Sequence, residues 1–186
     1  MKRRALLALG AGAAACVLAG RRSALADLNP DRMWPVYRRY HLLIVSQRDD
    51  EQNGALTTAV VGVLSRHLPA SRPQLVSAAD ARRIGVLIAT NQQDVAIMQG
   101  DSAEALFLAK PPFADIREAP LRIIVSLGTY VFVCRPDFMA RHAYLLAQTL
   151  AIHAEGLPAA ATAPNGVVPA HRGAHAFFAG EEMPND

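Results

Sequence analysis

Along residues 41–155, short β-rich apolar runs alternate with longer segments of helical period. This alternation restricts the chain to an α/β fold. His41-Leu-Leu-Ile-Val-Ser46 suits a buried strand, and Gly54 to Leu68 places Leu56, Ala59, Val60, Val63, Leu64 and Leu68 on one helical face. Gln74 to Ser77 reads as a second strand. Ser77-x-x-Asp80 resembles a capping box before a helix through Ile84, Leu87 and Ile88, with Asn91 as a left-handed stop. Asp94 to Met98 reads as a third strand, and Asp101-x-x-Glu104 can cap the short helix that follows. Leu121 to Leu127 and Thr129 to Arg135 are β-rich on either side of a bend at Gly128. Met139 to Glu155 is the clearest helix. The expected architecture is a single three-layer α/β lobe with a mostly parallel sheet, spanning residues 27–160, on which an irregular tail, 161–186, packs.

Right-handed crossovers would set the first and third strands side by side. Ligands of such sheets bind beyond the carboxyl ends of the strands, where the strand order reverses. Here those ends are Ser46-Gln47 and Gln99-Gly100-Asp101, and a helix starting near Gly54 would point its amides at the same place. Thr57 and Thr58 would stand in its first turn, and Tyr130 follows the bend beside the same end. The predicted ligand-binding set is therefore Ser46, Gln47, Gly54, Thr57, Thr58, Gln99, Asp101 and Tyr130, serving a small anionic ligand.

Each of these residues also has a plainer reading. Asp101 suits a helix N-cap, the threonine hydroxyls can serve the backbone, and Tyr130 can pack. The run Asp49-Asp50-Glu51 lacks the alternation and central Gly of a hard-cation loop and reads as a solvated acidic loop. His171 and His175 would share a helical face, but too few ligands accompany them for zinc. Cys134, inside Tyr130-Val-Phe-Val-Cys134, fits a core strand. No metal or cofactor is expected, and no G-x-S-x-G, H-E-x-x-H or P-loop is present.

Charge is unevenly placed. The chain of 186 residues carries a formal +3, but residues 1–26 hold Lys2, Arg3, Arg4, Arg21 and Arg22 and no acid. The remaining 160 residues have 14 basic against 16 acidic side chains, so the nucleic-acid reading loses its basis. Residues 1–26 read as an export signal: a charged start, an apolar stretch from Ala5 to Gly20, and a small-x-small site at Ala24-Leu25-Ala26. Arg3-Arg4 looks like a twin-arginine signal, and Arg21-Arg22 suits that route. Retention as a membrane anchor is the alternative to cleavage. A periplasmic location is expected.

Several stretches together resemble one family. Gln93-Asp-Val-Ala-Ile-Met-Gln-Gly-Asp101, Pro120-Leu-Arg-Ile-Ile-Val-Ser-Leu127, Val131-Phe-Val-Cys-Arg135 and Pro169-Ala-His-Arg-Gly-Ala-His-Ala-Phe-Phe178 occur in the order seen in TAXI-type solute receptors of TRAP transporters, and His67-Leu-Pro69 matches the turn after that family's first helix. The resemblance implies a type II periplasmic-binding-protein-like lobe that helps recognise a small carboxylate or amino acid for uptake, without catalysis, beside TRAP membrane subunits. It also implies that the second lobe is missing, because the chain runs from Arg135-Pro136-Asp137 straight into the Met139–Glu155 helix. The family's glycine-rich turn is replaced by a loop that keeps only Gly54 and gains Asp49, Asp50 and Glu51, which repel an anion unless they face away. Gly100 stands where the family has Ser. A one-sided pocket buries less ligand, so binding about as weak as millimolar is expected. The alternative is a periplasmic interaction module that docks a protein on the former cleft face.

Overall fold

The computed structural model describes residues 41–116 and 119–185. The leader reading, residues 1–26, and the lead-in at 27–40 lie outside the described residues. In chain order the elements are β1 (Leu43–Gln47), α1 (Glu51–His67), β2 (Gln74–Ala78), α2 (Ala81–Ala89), β3 (Val95–Gln99), α3 (Gly100–Phe107), β4 (Arg122–Leu127), β5 (Tyr130–Cys134), α4 (Ala140–Ile152), β6 (Ala161–Thr162) and α5 (Arg172–Phe178).

The strands form one open six-stranded mixed sheet in the order β2-β1-β3-β5-β4-β6. β1 pairs in parallel with both β2 and β3, so the first and third strands are neighbours as expected. The other three pairings are antiparallel, which corrects the expectation of a mostly parallel sheet. The reason is chain length. A parallel return needs a crossover of a dozen or more residues, and only Gly128 and Thr129 separate β4 from β5. Gly128, at φ 66°, supplies the left-handed position of this hairpin turn.

Helices cover both faces, giving three layers. On one face α1, α4 and α5 bring Leu56, Val60, Val63, Leu64, Leu146, Leu150 and Ala174 onto Ile44, Val95, Ile97, Phe132 and Cys134. On the other, α2, α3 and the following loop bring Ile84, Ile88, Leu106 and Phe113 onto Val45, Ala96, Met98, Val131 and Val133. Successive residues of β3 and β5 feed opposite faces, as a pleated strand requires. A bulge in β4 between Ile123 and Val125 interrupts this alternation. Ile124 and Val125 both join the α1 face, so Ser126 faces the same side as its partner Val131.

The ends of the helices correct several local expectations. α1 starts at Glu51, capped by the Asp50 side chain, three residues before Gly54. A carboxylate at the cap satisfies an orphan amide and suits the partly positive helix end. α2 is capped by Asp80 itself, which accepts from the Arg83 amide. Asn91 adopts the left-handed conformation, φ 59°. α3 starts two residues earlier than the cap reading requires: Asp101 lies in the first turn, and Gln99 occupies the cap position with no side-chain capping bond.

Segment 161–186 is not irregular, as expected, but completes the sheet. β6 pairs with the end of β4, and further on Ile123 N donates to Pro169 O (3.0 Å) while His171 N donates to Ile123 O (2.8 Å). An edge strand of buried residues needs such partners for its backbone groups. α5 then docks on α4. His171 accepts from the Gly173 amide through Nδ1, and Gly173 packs so closely on Ala140 that a built Cβ would lie 1.9 Å from its carbonyl oxygen.

Candidate functional site

The crevice between the carboxyl ends of β1 and β3, where a ligand was expected, is filled by the chain's own side chains. Asn53 is fully buried there: its Oδ1 accepts from Gln47 N (2.9 Å) and its Nδ2 donates to Ile97 O (2.9 Å). Asp50 lies beside it. Its carboxylate accepts from Asn53 N (3.0 Å), from Gln99 Nε2 (3.1 Å) and from the Tyr130 hydroxyl (2.9 Å to Oδ2). A helix-end amide, a side-chain amide and a phenol are the donors an anionic ligand would use, and Asp50 already holds them. Burial pushes the Asp50 pKa up, but the bonds from Asn53, Tyr130, Gln99 and the Gln52 amide outweigh it, and the group stays below its ordinary value. The Tyr130 phenol is raised by burial and by donating to this carboxylate.

The open space lies one step further along the sheet end. A cavity of about 510 Å³ sits between the start of α3, the β4–β5 hairpin and the loop 165–168. Gly100 N donates to Thr129 O (2.9 Å) and ties the hairpin turn to the helix start. Gln99, Asp101 and Glu104 form one wall, Tyr130 and Val131 another, and Asn165 to Val168 cover a third. Ser126 contributes to the wall. It is 5% exposed, and its Oγ has no hydrogen-bond partner. Buried hydroxyls are normally satisfied, so an orphan one on a cavity wall marks a place where a ligand atom or water is wanted. Among the described residues no Lys, Arg or His lines this space.

Of the residues singled out from sequence, Gln99, Asp101 and Tyr130 come together on the cavity. The others do not line it. Ser46 is buried at the end of β1, and Gln47 is engaged through its backbone by Asn53. Because α1 begins early, Gly54, Thr57 and Thr58 lie beyond its first three residues. Thr57 is buried and donates to Asn53 O (2.8 Å), and Thr58 is exposed and donates to Gly54 O (2.9 Å). Both hydroxyls serve the helix backbone. Sequence reading missed Ser126, Glu104 and Asn165. Glu104 stood in the recognised Asp101-x-x-Glu104 pattern, whereas the orientation of Ser126 depends on the bulge.

Other groups resolve simply. Cys134 is fully buried, and burial pushes its thiol far above the ordinary range. His171 and His175 do not share a face: the first is the buried cap of α5 and the second is exposed. Among the described residues no group of three or more His, Cys, Asp or Glu is placed to hold a metal ion, and no helix is long and apolar enough to cross a membrane. Comparison with protein-family models, with curated proteins and with solved structures returns no match to this chain. The described residues define a class: an α/β layer with an open mixed sheet and a polar cavity at the carboxyl end of β3.

Proposed function

We propose that this chain is an exported, non-enzymatic solute-binding module, similar to one lobe of a TAXI-type receptor, that takes a small polar metabolite into the cavity beside α3. The resemblance implies a small carboxylate or amino acid for uptake, and TRAP membrane subunits as the partner. The observation that carries the reading is the cavity itself, with the unpartnered Ser126 hydroxyl in its wall at the strand ends where α/β sheets bind ligands. One lobe leaves the ligand partly exposed, so affinity is weak, about millimolar.

A panel of small carboxylates and amino acids, screened by thermal shift, tests this. A solute present at about a hundred times its dissociation constant adds about 2.7 kcal/mol of stability. NMR shifts confined to Gln99, Asp101 and Ser126 should accompany it. No shift with any solute, together with a stable protein complex in pull-down, would replace this reading with the interaction module.

A further inference from the structure

Two carboxylates, Asp101 and Glu104, stand among the polar groups around the cavity, beside the neutral amides of Gln52, Gln99 and Asn165 and the hydroxyls of Ser126, Thr129 and Tyr130. Asp101 and Glu104 are three apart on α3, which sets them on one face of the helix, and both line the space. Neither carboxylate has an ion-pair partner among the described residues. Gln99 Nε2 gives one of its two hydrogens to Asp50, which leaves the second N–H and Oε1. The Tyr130 proton is likewise committed to Asp50. Ser126 Oγ is buried and without a partner, and a hydroxyl can accept. Among the described residues no basic side chain lines the wall.

An anion entering here would meet two full negative charges, offset among the described residues by the partly positive start of α3, worth about half a charge, and by neutral donors. The Gly100 amide at that start is already used by Thr129 O. The Tyr130 hydroxyl and one Gln99 N–H are held by Asp50 one step away, which leaves an anion neutral donors but no cationic side chain among the described lining residues. A ligand that brings donors and positive charge meets the opposite situation.

Resting on the solute-binding reading, we infer that the cavity takes the ammonium group of a small primary amine, held between the Asp101 and Glu104 carboxylates with Ser126 Oγ as a further acceptor. The bare carboxylate that the family resemblance suggests is disfavoured. An amino acid would enter amine first, with its own carboxylate kept away from the α3 wall.

A matched four-carbon set isolates the charge: putrescine, 4-aminobutyrate, 1,4-butanediol and succinate, each titrated into the full chain and followed by NMR and calorimetry. Putrescine is expected to bind tightest and succinate weakest, and putrescine binding should weaken as salt is raised. The double variant Asp101→Asn/Glu104→Gln, at positions outside the apolar core, should fold normally and weaken putrescine by about tenfold or more. Succinate or butanediol binding as tightly as putrescine, or an unchanged putrescine affinity in the double variant, would overturn the ammonium assignment and leave the solute-binding reading standing. If none of the four moves the cavity resonances and no member of the wider panel does either, both fail.

Discussion

Replacing Gly173 with Ala puts two opposed effects in direct competition. Gly173 lies in the seven-residue helix α5, where Ala is intrinsically better by about 1 kcal/mol. If conformational preference decided, the variant would be more stable. The packing argues the reverse. A Cβ at 173 would sit 1.9 Å from the Ala140 carbonyl oxygen and 2.7 Å from its carbon. Both are backbone atoms of α4, so no rotamer can yield, and α5 must retreat by about 1 Å or more before ordinary contact is restored. Overpacking of this kind costs roughly 1–3 kcal/mol, and a clash with backbone belongs at the upper end. Retreat also loosens Ala174 and Ala176 and pulls at the buried cap His171. The expected net loss is about 2–3 kcal/mol, or a melting temperature lower by roughly 5–10 °C for a chain of this size. Gly54→Ala is the control: it also lies in a helix, but its Cβ would meet nothing within 4 Å, so that variant should gain about 0.5–1 kcal/mol. Urea unfolding of both variants beside the parent measures the difference. A Gly173→Ala protein as stable as the parent would refute the close docking of α5 on α4.

Three further outcomes follow from the same geometry. Asp50→Ala removes the α1 cap and strands the Tyr130 hydroxyl, for a loss of about 2–3 kcal/mol, whereas Tyr130→Phe costs about 1 kcal/mol and the two together less than their sum. The Asp50 pKa is depressed in the fold, so its contribution is complete above the ordinary carboxylate pKa and disappears as pH falls through the folded value; acid unfolding of Asp50→Asn should lack that component. Burial holds the His171 imidazole below its ordinary pKa, and the Phe138 and Pro136 main chain pulls the other way without reaching hydrogen-bond geometry with Nε2. The unfolded chain therefore binds this proton first, stability should fall as pH drops below about 6.5, and His171→Gln should flatten that slope in pH-dependent melts. Cys134 should stay unreactive toward a maleimide under native conditions and react only on unfolding; prompt labelling of the native chain would contradict its burial.

Much of this molecule was readable from residue order, because local chemistry is local. The alternation of apolar runs and helical faces predicts the layers. Gly128 predicts a bend, and Asn91 predicts a left-handed stop. The adjacency of β1 and β3 follows from crossover handedness, and the placing of Gln99, Asp101 and Tyr130 around one strand-end cavity follows from their positions at the ends of β3 and the β4–β5 turn.

What the tertiary structure decided was how distant segments satisfy one another. Asp50 reads as one charge in an acidic loop, and only the fold brings Gln99 and Tyr130, 49 and 80 residues away, onto its carboxylate. That contact fills the expected anion seat and moves the open cavity toward α3. The β4 bulge then turns Ser126 to the cavity side, and the need of β4's edge for backbone partners draws 161–171 into the sheet and carries the loop 165–168 over the opening. Register and edge pairing arise between strands, so neither could be read from any one strand's own pattern.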